Sequence, residues 1–499
     1  MACLARTPAP GLRALSRGER SASDPKLAAF AGPGLRDSRT PVASPAGVLR
    51  DKREAGPKVP PPLPPLDRMP TSMPEHVLEA RRAARADSYS RDASEPRDGE
   101  ESSPMSAPVG LCNLGNTCFL NATLQSLAHA PLLAQFFLKG HFLKDVNAAN
   151  PLGTGGDMAR AVATLLRQLF PEGPQRQSAV APEDFLRLLC KHCALVAEQP
   201  GVQHDAQEVM AFLLDALHED LNRIRKRPEY KASKSFMADG KAEEHMAAEA
   251  WHVHLQRHRS LVVDLCQGQL RSQVKCCECG CASVTFDPFL FLSLPLPNQL
   301  KRGRKVHIEE AIKAFCDEER LEAENSWGCP RCDRRVSASK RLSLWKLPLL
   351  LLVHLKRFGF EAASWRPTWK IEGEVATNEH LDLQDFVSKM SPQRAPLQYD
   401  LFAAVDHAGA SPMSGHYTAS CRRADGWWRF DDSRTEYLGR AGCETTEKKV
   451  IGSWNYLLLF QRRDAPREVE QVPEQSLRRP ELWPHVLDGA TRQHSADPD

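Results

Sequence analysis

Two short stretches near opposite ends of the chain have to meet in space. The early one reads Gly110-Leu111-Cys112-Asn113-Leu114-Gly115-Asn116-Thr117-Cys118-Phe119-Leu120-Asn121. The late one is Gly415-His416-Tyr417, followed by Trp428-Arg429-Phe430-Asp431-Asp432. Together they hold a thiol, an imidazole and carboxylates. A cysteine hydrolase needs that set: a sulfur nucleophile, a base to deprotonate it, and an acceptor that fixes the base's tautomer. If the two stretches work as one site, nearly everything between them folds as one unit.

Each stretch has a local reading. Gly110, Gly115 and Asn116 favour a turning backbone, and Leu120, Leu124 and Leu127 begin an apolar helical face. Thr117 or Asn116 is the expected N-cap, which puts Cys118 in the first turn of a helix. Unpaired N–H groups and the helix dipole favour a thiolate there. The competing reading is a buried structural cysteine. Asn113 lies five residues upstream, where its amide donates to an oxyanion or simply shapes a turn. His416 opens an alternating run, Tyr417-Ala419-Cys421, which reads as a strand. Gly415 beside it lets another backbone approach closely, as a thin peptide substrate requires. Asp431 and Asp432 are adjacent acids, so the spacing leaves the orienter of His416 open, with Asp431 favoured.

Cysteine spacing is the second signal. Cys276-x-x-Cys279 and Cys329-x-x-Cys332 are two CxxC knuckles, the pattern of a four-thiolate structural zinc site. Gly280 and Pro330 supply turn character. Cys277 and Cys281 are read as bystanders. Cys190 and Cys193 follow a helical pattern and read as a helix face.

The run from Asn113 to Gln125 closely resembles the Cys box of the ubiquitin-specific proteases, and 399–432 resembles their His box. Gln203-His204-Asp205-Ala206-Gln207-Glu208, Leu355-Lys356-Arg357-Phe358 and Asn455-Tyr456-Leu457-Leu458-Leu459-Phe460 resemble further landmarks in order, so the likeness spans about 109–463. The resemblance implies an α+β, papain-like fold with a helical thumb, a β-rich palm and zinc-pinned fingers at about 262–350. It implies hydrolysis of the isopeptide or peptide bond after the C-terminal glycine of ubiquitin. It implies Cys118 as nucleophile, His416 as base, Asp431 (with Asp432 sharing the role in parts of the family) as orienter, and Asn113 in the oxyanion hole. It adds Asp205, Gln207, Glu208, Gly415, Tyr417 and His407 as residues expected at the substrate. Asp205 and Glu208 also fit a helix capping box; the resemblance favours a meeting with ubiquitin's basic tail. The only cofactor implied is structural zinc. An inactive ubiquitin-binding scaffold, or a protease for a ubiquitin-like modifier, is the alternative. Two departures from the family bear on specificity: Phe291 stands where many relatives carry an acid, and Ala122 replaces a common Ser.

Composition bounds the rest. The 499 residues carry a formal net charge of +3, so overall charge points to no nucleic-acid partner. A zinc-ribbon adaptor would rest only on the knuckles and the basic run Lys301-Arg302-Gly303-Arg304-Lys305. Fifteen cysteines without an apolar signal segment argue for a reducing compartment, cytoplasmic or nuclear. No apolar run approaches the roughly 20 residues of a membrane helix. Residues 1–106 are rich in Pro, Arg, Ala, Ser and Gly and read as a disordered arm, with 464–499 a polar tail. Lys58-Val59-Pro60-Pro61-Pro62-Leu63-Pro64 fits an SH3-type ligand or, more simply, a stiff linker. Arg6, Arg13 and Arg17 give the N-terminus a faint transit-peptide character, and 75–85 reads as a short helix. Residues 118–222 read as mostly helical. Residues 223–258 carry scattered metal-ligand types (Glu243, Glu244, His245, His252, His254, His258), with an exposed linker or helix as the simpler reading. Strands are expected at 270–275, 284–294, 342–355, 401–405, 416–421, 427–430 and 456–461.

Overall fold

The computed structural model describes residues 107–172, 177–199, 201–229, 236–237, 240–297, 305–360, 367–394, 396–411 and 414–474. The N-terminal arm with its Pro-rich and Arg-containing stretches, most of the basic run at 301–305, and most of the C-terminal tail lie outside those residues.

The first half is helical. Helices α1 (Cys118–Ala128), α2 (Pro131–Leu138), α3 (Asp157–Leu169), α4 (Glu183–His192) and α5 (Ala206–Asp220) form the thumb. Apolar periodicity builds it: α5 buries Val209, Met210, Leu213, Leu214 and Leu217. α1 is buried on nearly every side, because it lies between the other helices and the main sheet. Helices α6 (Gly240–Leu255) and α7 (Leu261–Cys266) then lead out of the thumb. The stretch expected as exposed linker is instead partly interior: Glu243, His252 and His258 are buried. Glu243 accepts from Arg271 Nε and Nη2, at 2.7 Å each. A buried charge persists only with such a partner.

Two antiparallel strands, β1 (Gly268–Cys276) and β2 (Ala282–Phe289), open the fingers, and the chain enters the palm as β3 (Phe291–Leu294). One strand was expected across 284–294. It breaks at Leu290, where the chain passes from one sheet to the other. Strands β4 (Glu319–Leu321), β5 (Trp327–Cys329), β6 (Arg334–Val336) and β7 (Ala338–Lys346) return along the fingers. Their sheet runs 236–237, β2, β1, β7, β4, with β5 and β6 as a separate hairpin at the tip. The strand expected over 342–355 also divides. β7 ends at Lys346, and β8 (Leu350–Leu355) begins after Leu347-Pro348-Leu349, since Pro348 has no N–H for a ladder.

The palm is completed by β9 (Gln398–Ser411), β10 (Ser414–Arg423), β11 (Gly426–Asp431), β12 (Arg434–Gly439) and β13 (Asn455–Arg462). Its order is β12, β11, β10, β9, β13, β8, β3, with 380–382 paired to β9. All these pairs are antiparallel except β8 with β3. β8 is apolar on both faces, as its sequence indicates. Leu350 and Leu352 join the core shared with the thumb, while Leu351, Val353 and Leu355 join a second core on the far side. Phe291 packs, partly buried, against the thumb-side core. Buried Arg357 ties the loop at 371–373 to the start of β13 through the carbonyls of Ile371, Gly373 and Asn455. No helix among the described residues is long and apolar enough to cross a membrane.

Candidate active site and fingertip

The early motif folds as a tight loop closed by its own asparagine. Asn113 Oδ1 accepts the N–H groups of Gly115 and Thr117, at 3.0 and 3.1 Å. Gly115 and Asn116 take positive φ, 102° and 53°, which glycine and asparagine tolerate. Thr117 occupies the N-cap position but does not cap. Its Oγ1 accepts the Leu114 N–H at 2.9 Å instead, so the expected side-chain cap is spent on the loop. The loop delivers Cys118 to the first position of α1, nearly buried.

The late motif arrives on neighbouring strands. His416 lies near the start of β10 and Asp431 at the end of β11, and His416 Nε2 is 2.5 Å from Asp431 Oδ1. With Nε2 so engaged, Nδ1 is the nitrogen left for the sulfur. A hydrogen bond to Cys118 and then one to Asp431 raise the His416 pKa to about 9, against the opposing cost of burial.

The adjacent acids do different jobs. Asp432 takes a left-handed conformation, φ 52°, and although one of its carboxylate oxygens stays within 4.8 Å of a His416 ring nitrogen, both oxygens are bonded to other partners. Its Oδ2 accepts from Asn113 Nδ2 at 2.8 Å, and its Oδ1 from Asn121 Nδ2 at 2.7 Å. Its backbone carbonyl accepts the Leu111 N–H at 2.9 Å. Asp432 therefore holds the cysteine loop, while Asp431 holds the imidazole. Gly110 permits this docking: a Cβ there would sit 2.6 Å from the Ser433 carbonyl oxygen.

Two neighbours escaped the sequence reading of the site. Gln203 Nε2 donates to Cys118 Sγ at 3.5 Å from a buried position, and Asn121 is anchored to Asp432 as above. No periodicity marks either. The only signals were their places in the Cys box and in the Gln203-His204-Asp205 run.

The expected substrate residues divide. Asp205 is the N-cap of α5 and accepts the Gln207 N–H at 2.7 Å, while the Tyr456 hydroxyl lies 2.8 and 2.6 Å from its two oxygens. Burial pushes its carboxyl upward. Asp205 is thus engaged by its own fold, in line with the capping alternative. Glu208 does not close a capping box. It is exposed, yet its surroundings and then the Asp205 charge push its carboxyl up to about 7. Gln207 is half-buried beside it. His407 and Tyr417 are buried against each other, ring centroids 4.5 Å apart, so they are interior here rather than on a substrate-facing surface. Burial and then Lys370, whose Nζ is 3.1 Å from Nδ1, push His407 down to about 3. The close approach expected at Gly415 exists, but the neighbour is the protein's own β9. A Cβ at Gly415 would lie 2.3 Å from the Ala408 carbonyl oxygen.

The four knuckle cysteines converge at the fingertip, with all four Sγ atoms within 4.8 Å of one another. Cys276 Sγ is 3.9 Å from Cys332 Sγ, and Cys279 Sγ is 3.5 Å from Cys329 Sγ. A tetrahedral ion with bonds of about 2.3 Å to sulfur sets its sulfurs roughly 3.8 Å apart, whereas a disulfide needs about 2.05 Å. Backbone N–H groups of Glu278 and Cys279 point at Cys276 Sγ, and that of Cys332 at Cys329 Sγ, at 3.3–3.4 Å. Such donors stabilise thiolates, so the residues fit a four-coordinate zinc. Cys277 is exposed, and Cys281 is buried beneath the cluster.

Comparison with known proteins now adds the family. The sequence profile described as "Ubiquitin carboxyl-terminal hydrolase" matches residues 109–460. The chain belongs to that family. It is 33% identical over 373 residues to ubiquitin carboxyl-terminal hydrolase 21 of Homo sapiens, covering 72% of this chain and 62% of that protein. It is 31% identical over 425 residues to ubiquitin carboxyl-terminal hydrolase 2 of Bos taurus, covering 83% and 66%. With the putative ubiquitin carboxyl-terminal hydrolase 11 of Arabidopsis thaliana it shares 45% over 199 residues, 40% of this chain and 21% of that one. The chain thus spans less than two thirds of these relatives' lengths. In fold it is similar to a solved SAGA Ubp8/Sgf11/Sus1/Sgf73 DUB module bound to ubiquitin aldehyde. The TM-score is 0.52 at 23% identity, over 72% of this chain and 70% of that one.

Proposed function

We propose that this chain is a cysteine-type ubiquitin carboxyl-terminal hydrolase that cleaves the isopeptide or peptide bond after ubiquitin's C-terminal glycine. The observation that carries the proposal is His416, 2.5 Å from Asp431 and with its pKa raised to about 9 chiefly by its interaction with Cys118. In this scheme His416 holds the Cys118 proton as imidazolium, and the sulfur attacks the glycine carbonyl. An amide nitrogen has two protons. The Asn113 amide spends one on Asp432, and the other meets the oxyanion together with the Cys118 backbone N–H, which has no partner in the first helical turn. Imidazolium gives its proton to the departing lysine amine, leaving a thioester. His416 then takes a proton from water, which attacks the thioester, frees the carboxylate and restores Cys118.

Asp431 is the orienter in this scheme, and Asp432 a positioning residue that sets Asn113. Glu208 is the acid available to a basic substrate tail. Ubiquitin and its conjugates are the partners that follow, and a structural zinc at Cys276, Cys279, Cys329 and Cys332 would cross-link the fingertip. Incubation of purified protein with linkage-defined diubiquitins tests the activity: cleavage by the natural chain and none by Cys118→Ala is expected. Equal cleavage by both would overturn it, and binding of diubiquitin without cleavage by either would make the chain a scaffold.

A further inference from the structure

The thumb contains a second set of ligand-type side chains that neither site uses. His218 and Glu219 lie near the end of α5, and His258 lies in the turn between α6 and α7. Their ligand atoms all fall within 4.8 Å of one another, and all three residues are buried. His218 Nε2 is 3.0 Å from His258 Nδ1. Two imidazole nitrogens bound tetrahedrally at about 2.0–2.1 Å sit roughly 3.3–3.4 Å apart, so the pair need open by only a few tenths of an ångström.

The surroundings suit ligation. A metal-bound histidine gives its other ring N–H to an acceptor, which fixes tautomer and orientation. His218 Nδ1 lies 2.8 Å from Ser260 Oγ, and that hydroxyl already accepts the Val263 N–H. The His258 ring stacks on His254, centroids 4.8 Å apart and planes 19° from parallel. His254 is itself tied to Gln267 at 2.7 Å. Glu219 is bound by Arg227 and Asn150, but both bonds fall on Oε2, which leaves Oε1 for an ion. Arg227 is the cation an incoming ion competes with. Asp215, one turn earlier on α5, adds negative charge near Glu219 and His258 that favours a cation.

We propose that His218, His258 and Glu219 form a second metal site, two imidazoles and a carboxylate, for a divalent transition ion of the zinc, cobalt or nickel class. The ion would tie the end of α5 to the segment that enters α7. Because α5 is capped by Asp205, two residues after Gln203, which donates to Cys118, the tie braces a helix that borders the catalytic sulfur. This proposal does not depend on the hydrolase reading.

Metal content of the full chain, purified without an immobilised-metal column, tests it. The natural protein should hold one more zinc per chain than His258→Gln, with the remaining zinc unchanged. After replacement by cobalt, the spectrum lost in His258→Gln should lack sulfur-to-metal charge-transfer bands, which the fingertip thiolates would retain. Glu219→Gln is the second variant, should His258→Gln fail to match the natural protein's circular dichroism, and the same loss is expected of it. Equal zinc in natural and variant proteins, with all bound cobalt showing thiolate bands, would overturn the proposal and leave His218 and His258 as a hydrogen-bonded pair.

Discussion

The fingertip and the catalytic seam are both built around cysteine sulfur, yet they assemble by opposite rules. At the fingertip each ligand pair sits in one short knuckle, and only two knuckles must meet. At the seam the sulfur comes from a helix start, the imidazole and its carboxylate partner from two palm strands, and Gln203 from the approach to another helix. The fingertip's order is mostly local, set by two knuckles whose sulfurs converge within 4.8 Å of one another. The seam's order comes from packing α1 against β10 and from the cross-link that Asp432 makes to the cysteine loop. One site is a clasp; the other is a consequence of the whole fold.

That contrast can be broken most forcefully at the sulfur itself. Cys118→Ala should lower turnover by about 10⁴-fold or more, with the fingers and the melting temperature essentially unchanged. Steady-state cleavage and thermal denaturation measure the two halves. A variant that melts much earlier would mean the thiol also carries structure.

The converse perturbation acts on the clasp. Structural zinc in comparable small sites contributes apparent free energies of about 10–16 kcal/mol. Stripping it with a chelator, or making Cys279→Ser, should expose the β5–β6 hairpin to hydrogen exchange. The rate of Cys118 alkylation should stay within about threefold. Parallel loss of both would show that the two regions are one cooperative unit.

Separating the paired acids sharpens the comparison within the seam. His416 is raised in the folded state to about 9, above its unfolded value near 6.5. The stability it contributes is therefore full below about pH 6.5 and is lost as pH rises through about 9. Asp431→Asn should move the His416 midpoint down, read by ring NMR. Asp432→Asn should move that midpoint much less than Asp431→Asn does, since its carboxylate comes within 4.8 Å of a ring nitrogen but is bonded elsewhere, and lower turnover by roughly 10²-fold through a misplaced Asn113. Identical effects of the two changes would refute the division of labour.

Smaller effects are expected at the margin. Gln203→Leu removes one donor to sulfur and should slow Cys118 alkylation near neutral pH several-fold, with little change in melting temperature. Glu208 ionises only as pH rises through about 7, so Glu208→Gln should raise KM about two- to fivefold at pH 8 and hardly at all at pH 6. A penalty that does not vary with pH would remove Glu208 from substrate contact.

The same contrast explains what could be read from the sequence. Both knuckles announce their ligands by spacing, and the helical thumb follows from apolar periodicity. The breaks at Leu290 and Pro348 were harder, because an apolar run looks the same whether it continues or changes sheet. Tyr417 follows His416 on β10 and His407 precedes it on β9, and both looked like substrate contacts, but their burial against each other depends on β9 and β10 pairing. Asp431 and Asp432 could not be assigned from adjacency. The left-handed turn at Asp432 sends its carboxylate to the opposite partner, and only the folded backbone reveals it. The burial of His252 and His258 could not be read from a polar stretch, and for His258 the partner, His218, comes from α5 forty residues away.

The most direct test of the central claim is covalent capture with a ubiquitin that carries an electrophile at its C-terminus, followed by peptide mapping of the adduct. With fifteen cysteines in the chain, specificity is the informative result. A single adduct on Cys118, abolished by His416→Ala in a protein that still folds, is the predicted result. Capture at another cysteine, or undiminished capture without the imidazole, would contradict it.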